Sequence, residues 1–145
     1  MRTILFMLFA FCFSCSTKST DQLRDKYTLM NDLWQKKATA EDVKKTFGDN
    51  FKEVASGIIY TFPNSKFPEL GFFFDSSNKL RGQFAFMDEA SLGRFKKTLK
   101  CNWQETQEER TIAHYIRTIK KGLCTDLSIS YETYLSLNAY EVRWK

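Results

Sequence analysis

Residues 106–122 read TQEERTIAHYIRTIKKG, and the conformation of this stretch sets the architecture of the second half of the chain. Ile112, Tyr115, Ile116, Ile119 and Leu123 recur at three- and four-residue spacing, which is the apolar stripe of an amphipathic helix. Glu105, Glu108 and Glu109 stand at its start and Arg117, Lys120 and Lys121 at its end, where a helix dipole favours each sign. Gly122 follows as a stop. The spacing therefore predicts a helix bracketed by Cys101 and Cys124.

On its N-terminal side, DEASLGRFKKTLK (88–100) places Leu92, Phe95 and Leu99 on one face of another helix. On its C-terminal side the period changes. Leu127, Ile129 and Tyr131 alternate, as do Tyr140, Val142 and Trp144, with a break of phase near Asn138, so two strands or one strongly bulged strand are expected there. The first half of the chain resembles this plan. Leu23, Tyr27, Met30 and Trp34 form the stripe of a helix over 21–37, and a shorter helix follows, with Thr39 and Asp42 as a capping box and Gly48 as its stop. Three strands come next: VASGIIYTF, LGFFFD and KLRGQFAFM, separated by the loop PNSKFPE and the turn DSSNK. In the third strand Leu80, Phe84 and Phe86 face one way and Arg81, Gln83 and Ala85 the other, which predicts a sheet covered on one side.

The expected fold is thus α+β, with helices packed on one face of an antiparallel sheet in the order ααβββ followed by ααβ(β), as one domain over 21–145. Phe72, Phe73 and Phe74 are consecutive, so a strand carrying them is apolar on both faces. The candidate binding face is Tyr60, Phe62, Phe72, Phe74, Phe84 and Phe86.

Composition agrees with a packed domain. Of 145 residues 43% are apolar and 16% aromatic, far from the hydrophobe-poor signature of disorder. The 22 basic residues exceed the 17 acidic ones only mildly and are spread along the chain, so nucleic acid is not the expected partner.

The amino terminus supplies an address. MRTILFMLFAFCFS (1–14) carries Arg2 and an apolar run from Ile4 to Phe13, about half the ~20 residues a spanning helix needs, which reads as a signal peptide. In FAFCFSCSTKST (9–20), Ser14-Cys15 resembles the bacterial lipobox, in which a small residue precedes a cysteine that is lipidated before cleavage. That resemblance implies a diacylglyceryl thioether and an acylated amine (palmitate among the chains) on Cys15, a flexible tether over 15–20, and, with Ser16 next, the outer membrane. The alternative is ordinary cleavage after Ser16, which leaves a secreted or periplasmic soluble protein. Cys12 leaves with the signal and Cys15 is taken by lipid, so Cys101 and Cys124 remain as a disulfide pair in an oxidising compartment. Closing their loop of about 24 residues contributes about 3 kcal/mol in the chain-entropy account.

The block from about Lys37 to Met87 resembles the small outer-membrane lipoprotein domains of the BamE and SmpA type. A short helix ends in Phe47-Gly48, a Tyr-rich strand carries Ile59-Tyr60, and an apolar strand runs from Phe72 to an Asp-rich turn at Asp75. A helix-helix-strand-strand-strand unit of this kind occurs twice in the beta-lactamase inhibitor proteins. The resemblance implies a scaffolding or accessory role in the cell envelope, without catalysis.

Catalytic patterns are sparse. The single histidine, His114, lies beside the stripe of its segment and reads as a rim residue, since no pattern places a nucleophile and an orienting group beside it. One histidine and widely spaced cysteines predict no metal site, and the six glycines form no phosphate loop, so no cofactor is expected. Lys96, Lys97, Lys100, Lys120 and Lys121 form either a basic patch for anionic headgroups or solvated helix faces. Two functions remain: an envelope lipoprotein that binds or scaffolds a protein partner, and a periplasmic inhibitor or small-ligand binder whose cavity is lined by Tyr60, Phe72 and Phe84.

Overall fold

The computed structural model describes residues 18–63, 66–67 and 69–145. Its elements in chain order are α1 (Lys18–Gln35), α2 (Ala40–Phe47), β1 (Phe51–Val54), β2 (Gly57–Thr61), β3 (Glu69–Phe74), β4 (Leu80–Met87), α3 (Glu89–Thr98), β5 (Gln104–Ile112), β6 (Tyr115–Cys124), β7 (Ile129–Tyr134) and β8 (Ala139–Trp144). The eight strands form one antiparallel sheet in the order β1-β2-β3-β4-β8-β7-β6-β5. Two four-stranded meanders are therefore joined where their last strands meet, from Gln83↔Trp144 to Met87↔Tyr140.

This arrangement corrects the expected order ααβββ, ααβ(β). The second half has one helix and four strands, because residues 104–124 form a hairpin with Ile112↔Tyr115 closing a two-residue turn. Ala113 and His114 both take positive φ, 49° and 68°, as the primed turn that matches strand twist demands. Six β-branched residues, Thr106, Thr111, Ile112, Ile116, Thr118 and Ile119, favour the extended form. The charges read as dipole partners are cross-strand partners instead, with Glu108 3.0 Å from Lys121. Gly122 is a seat for an aromatic ring: a Cβ there would lie 2.1 Å from Tyr131, its partner across β6–β7. The first half also gains a strand, β1, whose half-exposed sequence FKEV carries little apolar signal.

The core lies between the three helices and one face of the sheet. Met30 of α1, Val43 of α2 and Phe95 of α3 meet Phe72, Val142 and Trp144 from the strands in one buried cluster. At α2 the capping box is present in full, Thr39 and Asp42 each satisfying the other's backbone N–H. Asp88 caps α3 by accepting from the Ser91 N–H at 2.7 Å.

The phase of β4 is the reverse of the expected one along most of its length. Gln83, Ala85 and Met87 point to the helices and are buried, while Phe84 and Phe86 point to the other face. A register shift between Phe73 and Phe74 lets Leu80 stay on the core side. Ala85 is small enough for α1 to lie close to the sheet, and buried Gln83 donates Nε2–H to the Met30 carbonyl at 2.7 Å. Cys101 and Cys124 are joined by a disulfide with Cα atoms 6.0 Å apart, tying the segment after α3 to the end of β6. The signal segment 1–14 and the lipidation site Cys15 lie outside the described residues, and α1 already begins at Lys18 within the expected tether.

Candidate functional site: the open face of the sheet

The helices cover one face of the sheet, and the strand registers define what the other presents. From β3 and β4 come Phe73, Phe84 and Phe86, and from β7 comes Tyr134. Their rings form a continuous row: Phe73 to Phe84 at 6.0 Å, Phe84 to Phe86 at 5.8 Å, and Phe86 to Tyr134 at 5.2 Å between centroids. Gly71 makes this row possible, because the Phe84 ring lies where a Cβ on its cross-strand partner would stand, 2.1 Å away. Tyr134 remains 42% exposed and Leu123, further along the same face, 41%.

Beside the aromatic row runs a charged one. Glu141 accepts from Arg143 Nε–H at 2.8 Å. Glu132 lies 3.6 Å from Arg110 and 3.9 Å from Lys121, and Glu108 pairs with both of those bases. The hydrogen bond from Lys121, helped by Arg110, holds the Glu108 carboxyl below the usual glutamate range. The hydrogen bond to Glu141 raises Arg143. Two shallow hollows share Glu141 and Arg143: one of about 640 Å³ over β5–β8 and one of about 330 Å³ beside Phe73 and Phe84. A face that is apolar on one flank and carries fixed charges of both signs on the other can dock a partner in one orientation.

The sheet separates the residues expected to share a binding face. Tyr60 and Phe72 are fully buried under α2, where Phe47 packs on both rings, and the Tyr60 hydroxyl donates to the Gly48 carbonyl at 2.7 Å. Phe62 and Phe74 pack at the margin of that core. Only Phe84 and Phe86 reach the open face, so the expected cavity lined jointly by Tyr60, Phe72 and Phe84 does not form. Phe73 joins them there, as alternation within FFF requires, and Tyr134, Glu141 and Arg143 were legible in the alternation of SISYETY and AYEVRW.

Elsewhere, Lys120 pairs with Glu89 at 3.0 Å, and Lys96 pairs with Glu105, which also accepts from the Tyr131 hydroxyl at 2.6 Å. Of the five lysines read as either a basic patch or solvated helix faces, Lys96, Lys120 and Lys121 are thus paired with acids. His114 sits exposed at the tip of the β5–β6 hairpin. Among the described residues, no three His, Cys, Asp or Glu side chains stand close enough to hold a metal, and no helix is long and apolar enough to cross a membrane. Comparison with protein-family models, with curated proteins and with solved structures finds no match to this chain.

Proposed function

We propose that this chain is a non-catalytic lipoprotein of the bacterial envelope, anchored through Cys15 in the outer membrane and facing the periplasm, where its open sheet face binds a protein partner. The observation that carries the reading is the row of half-buried Phe73, Phe84 and Phe86 and exposed Tyr134 beside the Glu141/Arg143 pair. The disulfide supports an oxidising compartment. Shallow hollows suit a protein surface better than a small apolar molecule, which needs enclosure, so the ligand-binding alternative has less support.

The test has two arms, read on protein made in its own envelope. A photo-crosslinking residue at Leu123 or Tyr134 gives a discrete adduct, and one at Lys97 on the helix side gives none. Equal labelling from both sides, or none from either, overturns the open-face reading. Intact mass of the membrane-extracted chain shows a lipidated Cys15, lost in Cys15→Ser; a chain beginning at Thr17 without lipid overturns the anchor.

A further inference from the structure

We infer that the β5–β6 hairpin is a dimerisation arm, in which the free edge of β6 pairs antiparallel with the same edge of a second copy, centred on Ile116. This does not rest on the open-face reading. β5 and β6 pair along nine positions, but β7 pairs with β6 only over Lys121–Cys124. At Lys120 the neighbour becomes the Thr133 side chain, which accepts from the Lys120 N–H at 2.9 Å and donates to its carbonyl at 3.1 Å. Beyond that point no strand among the described residues lies beside the ribbon, and every residue from Gln104 to Thr118 is exposed. Tyr115 is 69% and Ile116 72% exposed. A two-stranded ribbon with free edges and bare apolar side chains is marginal alone and is a template for another strand.

The pairing pattern selects the occupant. In a hairpin closed by a two-residue turn, Ile112 and Tyr115 exchange backbone bonds with each other, so Tyr115, Arg117 and Ile119 point their backbone groups toward β5. Ile116 and Thr118 then point theirs outward. A two-fold antiparallel partner must pair outward groups with outward groups, which excludes registers centred between two residues and leaves those centred on Tyr115, Ile116, Arg117 or Thr118. Centring on Thr118 sets Tyr115 of the second copy against Lys121, a place already held by Glu132 of β7. Centring on Arg117 sets two guanidinium groups against each other in the close, non-hydrogen-bonded pair, and centring on Tyr115 leaves Ile116 only the turn residue His114 to pair with.

Only the register on Ile116 fits. It sets Ile116 against Ile116, Thr118 against His114, and Arg117 against the Tyr115 ring of the other copy, a cation–π pair. The partner's turn then stops beside Ile119, just short of β7. A lipid surface is a poorer occupant, since it offers the outward N–H and C=O groups nothing to bond.

The full chain carrying Ile116→Cys is oxidised without reductant, with the unmodified chain and Thr118→Cys in parallel. A hydrogen-bonded pair on the two-fold axis has Cα atoms about 5.5 Å apart, within disulfide reach. The expected result is a species of twice the chain mass from Ile116→Cys, at least tenfold more abundant than from Thr118→Cys and absent from the unmodified chain. Sedimentation shows a dimer that Ile116→Lys converts to monomer, and with rising concentration the Ile116 and Thr118 amides gain exchange protection while that of Arg117 is unchanged. A chain monomeric to millimolar concentration, equal crosslinking at 116 and 118, or a crosslink from 116 to another protein overturns the inference.

Discussion

Lys26 shows how a single residue in this structure sets a dependence on pH. It is only 8% exposed, with Nζ 5.0 Å from the centroid of Phe62 and 5.2 Å from that of Tyr27. Burial lowers its pKa from 10.5 to about 8. Between those values the unfolded chain holds a proton that the folded chain has lost, so stability rises with pH over that window. Above the ordinary tyrosine range the sign reverses. Burial raises Tyr27, Tyr60 and Tyr131, so the unfolded chain ionises first and folding weakens. The midpoint of thermal unfolding should therefore climb from pH 8 to near pH 10 and fall beyond. Lys26→Met, which keeps the apolar stem, should flatten the climb and raise stability at pH 7 by on the order of 1–3 kcal/mol. A Lys26→Met chain that retains the full slope would place its origin elsewhere.

Among the elements, the β5–β6 hairpin separates what patterning could reveal from what it could not. Ile112, Tyr115, Ile116 and Ile119 satisfy a helical period, yet once the chain reverses at Ala113-His114 Ile112, Tyr115 and Ile119 share one face of the hairpin and Ile116 takes the other. Neither turn residue announces a primed turn, as Asn-Gly does, and the acid-then-base order that suits a helix dipole also suits two antiparallel strands. Signals carried by local chemistry were readable: the Thr39/Asp42 box, the stop at Gly48, and the phase break at Asn138, which takes φ 48° between β7 and β8. The orientation of β4 was not, because it depends on α1 lying over Ala85 and on Gln83 finding the Met30 carbonyl, both remote in sequence. This also hid the open face, since it displaced Tyr60 and Phe72 into the core. The turn allows a test whose sign separates the two conformations. In a helix, Ala113→Asn with His114→Gly destabilises by about 1–2 kcal/mol. At two left-handed positions of a hairpin the same pair relieves strain, so the midpoint of unfolding should rise by about 3–8 °C.

At the scale of the whole molecule, the two meanders are paired along β4–β8 and meet again where the Phe86 and Tyr134 rings touch, and α1 ties them together. On one side the Tyr27 hydroxyl donates to the Phe86 carbonyl at 3.0 Å, and Met30 accepts from Gln83. On the other, Trp34 Nε1–H donates to the Leu127 carbonyl at 3.1 Å, and Asn31 Oδ1 accepts from Trp144 Nε1–H at 3.4 Å. A helix bonded to both meanders across a shared core makes their stabilities inseparable, and at this chain length one cooperative transition is expected. Met30, fully buried at the middle of the bridge, is the position that tests this. Met30→Ala should cost about 2–5 kcal/mol and lower both halves together. Amide exchange in β2 and β3 should accelerate by the same factor as in β7 and β8, and calorimetric and van't Hoff enthalpies should stay equal. If one meander loosens while the other keeps its protection, the halves are independent and α1 is a cover on one of them, not a bridge between both.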